Sequence, residues 1–182
     1  MSIPPSSRHR SIPHFPVPFP VPIENCQFFL YTDAIMTRCY TMLKPGVVNR
    51  RLVGEVISRL EKKGLKLIGL KMMNITPEMA KEHYAEHAEK PFFTDLVNYI
   101  TSGPVVAMVW AGDDCVTLVR KLVGATKPAE AAPGTIRGDF CIHTNMNVIH
   151  ASDSDASAER EIKIFFKDEE IIDWEDASAI YF

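Results

Sequence analysis

Val105-Val106-Ala107-Met108-Val109-Trp110 is a stretch of six apolar residues, preceded by Ser102-Gly103-Pro104 and followed by Ala111-Gly112-Asp113. A short apolar run bounded by turn residues reads as a buried strand, and it supplies the centre of a sheet. Upstream, Pro91 opens a helix over Phe92 to Ile100, and Thr76-Pro77 offers an N-cap followed by a first-turn proline for a short helix through Tyr84. Leu65 to Ile75 alternates as a strand. Before it, Leu52, Val53, Val56, Ile57 and Leu60 keep helical spacing over Asn49 to Lys63, with Gly64 at the C′ position. Arg38 to Leu43 forms the first strand, broken by Lys44-Pro45-Gly46. Downstream, Asp113 caps a helix through Leu122, and Gly124 ends it. The irregular stretch from Ala125 to Phe140 is too long for an ordinary connector and reads as a functional loop. Val148-Ile149-His150 is the last strand, and Ser154 to Phe166 the last helix. Strands alternating with helices in this order fit an α+β domain with helices packed on one sheet.

The chain has 182 residues, 46% of them hydrophobic, enough for one sizeable core plus an appendage. The appendage is residues 1–35. Seven of the thirteen prolines fall within residues 1–22, where there is no glycine. Proline removes backbone donors and favours extended chain, so this segment reads as a disordered extension that precedes a domain over residues 36–182. Arg8, His9 and Arg10 faintly suggest a transit peptide, but the prolines forbid its amphipathic helix. Cys26, Cys39, Cys115 and Cys141 lie far apart with no C-x-x-C, which reads as reduced thiols in a cytoplasmic protein. No apolar run approaches the roughly 20 residues of a spanning helix. The formal charge of -3 offers no global attraction for phosphates, so an anion site must be a local cluster of basic residues and metal.

The chemistry-bearing stretch is Asn147-Val148-Ile149-His150-Ala151-Ser152-Asp153, where a histidine at a strand end is followed by hydrogen-bonding residues. Alone, it fits a structural histidine as well as a nucleophile. His83-Tyr84-Ala85-Glu86-His87 has the H-x-x-E-H form of a zinc peptidase, but the helix is short and polar and lacks a third ligand at a telling spacing. Gly64 and Gly69 have P-loop spacing, yet Leu70 stands where the lysine is required. Arg137-Gly138-Asp139 would mark adhesion only in a secreted chain.

Taken together, Pro133-Gly134-Thr135-Ile136-Arg137-Gly138-Asp139-Phe140, the N-x-x-H-x-S-D stretch and Ser157-Ala158-Glu159-Arg160-Glu161-Ile162 resemble the nucleoside diphosphate kinases. Lys44-Pro45, Arg50-Arg51-Leu52-Val53-Gly54-Glu55, His83-Tyr84, Lys90-Pro91-Phe92-Phe93 and Ser102-Gly103-Pro104-Val105-Val106-Ala107 keep that family's order over about residues 38–182. The resemblance implies a ferredoxin-like antiparallel sheet covered by helices. It also implies transfer of a γ-phosphoryl group from a nucleoside triphosphate to a nucleoside diphosphate, through a phosphohistidine on His150. Glu161 would orient that ring, with Ser152 bonded to it, and His83, His87 and His143 would lack such company. Lys44, Arg120 and Arg137 would hold phosphate oxygens, with Mg²⁺ carried by the nucleotide. Tyr84, Thr126 and Asn147 would add hydrogen bonds, and Phe92 and Leu96 would sandwich the base. Neutral imidazole is nucleophilic near pH 7, and phosphoryl transfer needs spread cationic compensation, so these residue types suit the reaction.

The resemblance further implies a closed homo-oligomer, a hexamer with a tetramer left open, contacting through Lys127 to Pro133 and the C-terminal residues. Departures from the family are Gly46 in place of an acid after Lys-Pro, Asn145-Met146 in place of Gly-Arg, Ala151 where glycine is also common, and a slightly short terminus after Trp174. The rival reading is a nucleic-acid-binding or scaffolding oligomer with an incidental kinase site; the acidic charge and the lack of a basic stripe weigh against nucleic acid.

Overall fold

The computed structural model describes residues 36–177. The extension read over residues 1–35 lies outside the described residues. Four strands form one sheet: β1 (Thr37–Leu43), β2 (Lys66–Met73), β3 (Val105–Gly112) and β4 (Ile149–Ala151), in the order β2-β3-β1-β4. Every neighbouring pair is antiparallel, and β3 is interior, as its unbroken apolar run predicts. The helices are α1 (Pro45–Asn49), α2 (Val53–Glu61), α3 (Pro77–His83), α4 (Phe93–Ile100), α5 (Cys115–Val123), α6 (Ile136–Phe140) and α7 (Asp155–Phe165). This is the ferredoxin-like α+β arrangement.

The period-two alternation of the strands divides the core in two. Cys39, Leu43, Val106, Met108, Trp110, Ile149 and Ala151 pack with Val56 and Leu60 of α2 and Val116 and Val119 of α5. Tyr40, Met42, Val105, Ala107 and Val109 face the other way, against Ala80 of α3, Ile100 of α4, and Ile162 and Phe165 of α7. The sheet is therefore covered on both faces.

Three local expectations are corrected. The helix read over Asn49 to Lys63 is two helices. Pro45, with its φ preset for a helix's first turn, starts α1 directly after Lys44; the chain then turns at Arg51, whose φ is +58°, before α2 begins. The end of α2 is as expected: Gly64, at φ +92°, donates to Glu61 O at 2.8 Å, and the Leu65 amide reaches Leu60 O. At α5, Asp114 rather than Asp113 occupies the N-cap and makes no side-chain cap; the Cys115 amide instead donates to Thr37 Oγ1 of β1 at 2.9 Å. The long loop contains a 3₁₀ turn (Pro128–Glu130) and α6, capped by Thr135 Oγ1 accepting from Gly138 N at 3.1 Å. A Cβ on Gly138 would lie 2.1 Å from Ala132 O, so only glycine fits that approach.

Candidate active site

β4 is three residues long, and its alternation decides the site. Ile149 and Ala151 enter the apolar cluster beneath α2 and α5, so His150 must point to the opposite face, where Met42 is its cross-strand partner and the Tyr40 ring lies 6.0 Å away. Three residues past the end of β4, Ser154 caps α7: its hydroxyl accepts from Ser157 N, and Ser157 Oγ accepts from Ser154 N at 3.0 Å. The helix then runs back along the sheet and carries Glu161 to His150. His150 Nε2 and Glu161 Oε1 are 2.9 Å apart, and the fully buried Ser152 donates to Glu161 Oε2 at 2.6 Å. Ser152 is itself held by the Tyr40 amide at 3.2 Å. Both carboxylate oxygens are thus engaged, and Nδ1 remains as the ring nitrogen available to the cavity that His150 lines.

That cavity measures about 440 Å³. Lys44, Tyr84, Phe92, Leu96, Arg120, Thr126, Arg137, Asn147, His150 and Glu161 all line it; of the residues singled out in the sequence, only Ser152 lies behind the wall. Lys44 sits where β1 gives way to α1, 3% exposed, and burial followed by the charge of Arg137 pushes its amine down to about 8. Arg137 is buried in α6 and bridges two backbone carbonyls, Gly124 O and Ile149 O, each at 2.8 Å. Burial lowers its guanidinium to about 10, and its Nε has no partner among the described residues. Arg120, in the last turn of α5, and Thr126 are exposed at the rim. Phe92, 43% exposed, and half-buried Leu96 form an apolar ledge at the start of α4.

Several buried polar atoms of this wall lack partners among the described residues: Tyr84 Oη, Asn147 Oδ1, and both ring nitrogens of His83. Burial also pushes the Tyr84 phenol well above its ordinary value, keeping it a neutral donor. Buried polar groups are normally satisfied, so open ones converging on a cavity mark places where a ligand supplies the partner.

One expectation about this wall is overturned. His83 does not lack company: its ring centroid lies 4.4 Å from that of His150 at 80°, and its Nδ1 is 3.9 Å from Glu161 Oε1. Burial, then the neighbouring His150, pushes its imidazole down to about 2, so this contact joins a neutral ring to a carboxylate and is no ion pair. The H-x-x-E-H pattern drew attention to His83 but suggested the wrong partner. His87 lies beyond α3 in a separate 3₁₀ turn (Ala85–His87), while Glu86 pairs with Arg160 at 2.7 Å across the cavity mouth. Asp153 faces the cavity edge but accepts from Ser157 and Ser154, which hold its carboxyl below the usual range and spend it on the start of α7.

Comparison with known proteins agrees with this geometry. A family profile described as "Nucleoside diphosphate kinase" matches residues 37–171. A nucleoside diphosphate kinase of Archaeoglobus fulgidus is 64% identical over 142 residues, covering 78% of this chain and 94% of the relative. One of Methanothermobacter thermautotrophicus is 58% identical over 148 residues, covering 80% and 99%. Among solved structures, a halophilic nucleoside diphosphate kinase from Halobacterium salinarum in complex with CDP superposes with a TM-score of 0.78 at 51% identity, covering 79% of this chain and 96% of that one.

Proposed function

The chain belongs to the nucleoside diphosphate kinase family and is an enzyme of that activity, and from that premise we propose that it works through a phosphohistidine on His150. The observation that carries the proposal is the His150–Glu161–Ser152 chain. With Nε2–H donated to Glu161 Oε1, the lone pair resides on Nδ1, which attacks the γ-phosphorus of a nucleoside triphosphate. The Nδ1–P bond forms, the bond to the β-phosphate oxygen breaks, and the nucleoside diphosphate leaves. A second diphosphate then attacks phospho-His150 through its terminal oxygen and regenerates the imidazole. As the ring gains positive charge, the buried Glu161 carboxylate 2.9 Å away stabilises it, and Ser152 fixes the carboxylate's orientation.

Lys44, Arg120 and Arg137 surround the path of the phosphoryl group, and Tyr84 Oη supplies a neutral donor. Asn147 Oδ1, an acceptor without a partner among the described residues, suits a ribose hydroxyl. Phe92 and Leu96 form the base ledge; stacking there selects weakly, because every base has a π-face. The cavity's Glu86, Asp153 and Glu161 are each engaged by Arg160, by Ser157 or by His150 and Ser152, so Mg²⁺ is best carried by the nucleotide's own phosphates, whose charge it neutralises.

We infer a closed homo-oligomer, a hexamer by family resemblance, in the cytoplasm. In support, edge strand β2 leaves Leu70 and Met72 exposed, 50% and 61%, beside exposed Ile172 and Trp174. Among the described residues no helix is long and apolar enough to cross a membrane. Residues 36–182 would suffice for catalysis, so removal of residues 1–35 should leave the exchange rate within about twofold and the melting temperature unchanged within error.

The direct test is to incubate the protein with γ-labelled ATP and Mg²⁺, isolate it, and chase with GDP. The expected result is an acid-labile, base-stable phosphoprotein that discharges to GTP. Label transferred to GDP at the wild-type rate by a His150→Ala protein would overturn the mechanism.

A further inference from the structure

His83 is 5% exposed, and among the described residues neither ring nitrogen has a hydrogen-bond partner. Leaving a buried polar group unsatisfied is destabilising, and phosphoryl transfer as described above does not use this side chain. Its position explains what it is suited to. His83 Nδ1 lies 3.9 Å from Glu161 Oε1, His150 Nε2 lies 2.9 Å from the same oxygen, and one ligand atom from each residue falls within 4.8 Å of the others. We propose that His83, His150 and Glu161 form a site for a borderline divalent cation, zinc above all, and that filling it silences the enzyme.

Two imidazoles and one carboxylate are a zinc ligand set that leaves a fourth position open. Bonds of about 2.0–2.1 Å in a tetrahedron place ligand atoms about 3.3 Å apart, so the 2.9 Å contact must open and the 3.9 Å contact close by roughly half an ångström each, and the widest separation, up to 4.8 Å, must close by as much as about 1.5 Å. Side-chain rotation supplies that. The cavity lined by His150 gives the ion a route in and a water for the open position. Lys44, Arg120, Arg137 and Arg160 line the same cavity and oppose any cation, so occupation needs strong bonding to nitrogen. Mg²⁺, which prefers an octahedron of oxygens, does not provide it; zinc and Cu²⁺ do.

The inhibitory half of the proposal rests on the phosphohistidine reading; the binding half does not. In the free enzyme His150 carries its proton on Nε2, donated to Glu161. A metal bound at Nε2 takes that position, the proton transfers to Nδ1, and Nδ1 loses the lone pair that attacks phosphorus. No net proton is released, Glu161 exchanges a hydrogen bond for a metal bond, and its Oε2 keeps Ser152.

The test uses the full reduced chain without nucleotide, titrated with Co²⁺ as a visible probe and then with Zn²⁺ as competitor. We expect one equivalent of Co²⁺ to give tetrahedral d–d bands without a thiolate charge-transfer band, which excludes Cys141, and one equivalent of Zn²⁺ to remove them. His83→Phe and Glu161→Gln should each abolish the bands. Thermal melting of both variants verifies the fold, and Glu161→Gln carries the binding test should His83→Phe fail to fold. In ATP–GDP exchange with Mg²⁺ in excess, His83→Phe is titrated with zinc and its rate referred to its own metal-free turnover. It should need at least about tenfold more zinc for half-inhibition, the lower bound for losing a metal partner. Absence of nitrogen-and-oxygen Co²⁺ bands in the wild type, or unchanged titrations in both variants, would overturn the site. Full exchange with the site filled would overturn the silencing alone. Wild type inactive before any metal is added would instead count against the phosphohistidine reading.

Discussion

On one face of the sheet Cys39, Leu43, Met108, Trp110 and Ile149 pack beneath α2 and α5 with their buried polar atoms satisfied, Trp110 Nε1 donating to Thr41 Oγ1 at 3.0 Å. On the other face, the same strands present Tyr40 and His150 to His83, Tyr84 and Glu161, where Tyr40 Oη, Tyr84 Oη and both nitrogens of His83 go without partners among the described residues. One face minimises unsatisfied polarity and so contributes stability; the other tolerates it next to a cavity and so contributes chemistry. Because strand side chains alternate, a shift of one residue in β4 would exchange His150 for an isoleucine or alanine and merge the two roles.

The comparison is tested most severely at His150. His150→Ala should leave the melting temperature nearly unchanged, since the ring contributes little to either apolar cluster, while ATP–GDP exchange falls by on the order of 10³-fold or more, the scale of losing a covalent nucleophile. A variant that unfolds, or one that keeps more than about a tenth of the rate, would show that the active face is not separable from the core.

The same contrast predicts opposite responses to substitution in the interior. Met108→Ala, on the sealed face and fully buried, should lower stability by about 2–5 kcal/mol by leaving a cavity among well-packed neighbours. His83→Phe removes two unsatisfied nitrogens within an aromatic cluster that includes Tyr40 and Phe165, and should be neutral or stabilising by up to about 3 kcal/mol. Urea denaturation of both proteins measures the difference. Equal destabilisation would mean that His83 is held by packing as tightly as Met108.

How far the sequence discloses this division depends on the range of the interactions. Ser154, Gly64, Thr76-Pro77 and the apolar run of β3 act within a few residues of themselves, and the elements they mark are where their patterns place them. His150, Ser152 and Glu161 are also close in sequence, joined by one strand end and about two turns of helix. The break at Arg51 escapes local reading because the helical spacing of Leu52, Val53, Val56 and Ile57 lies wholly after it and gives no sign of a separate helix over Pro45–Asn49. The capping of α5 by Thr37 and the meeting of His83 with His150 join residues 78 and 67 positions apart, and only the antiparallel sheet brings each pair together. The H-x-x-E-H pattern could flag His83 as chemically unusual; it could not supply a partner on another element.

Glu161→Gln tests the link between the buried relay and the reaction. A glutamine can still accept from Ser152 or His150, but it carries no charge to offset the phosphorylated ring, so exchange should fall by about 10–100-fold while nucleotide affinity stays within about twofold. Calorimetry with ADP and single-turnover phosphorylation separate the two quantities. A loss of affinity matching the loss of rate would place Glu161 among the groups that hold nucleotide.

The smallest effect concerns Lys44, a buried cation, like Arg137, at the boundary between the two faces. Its amine is pushed down from 10.5 to about 8, with burial the larger cause and Arg137 the next. Between those values the unfolded chain holds the proton and the folded chain does not, so this group makes the free protein more stable as pH rises through the window. Nucleotide capture runs the other way, because the protonated amine is the form that meets phosphate. Free-enzyme kcat/KM should therefore decline, at most about tenfold per pH unit, once pH passes about 8, while the lysine's contribution to the melting temperature increases. Lys44→Met should flatten both slopes. If kcat/KM fell with pH in the Lys44→Met protein as steeply as in the wild type, the titrating group would lie elsewhere, and the boundary between the sealed and the open face would not be where the capture of phosphate is set.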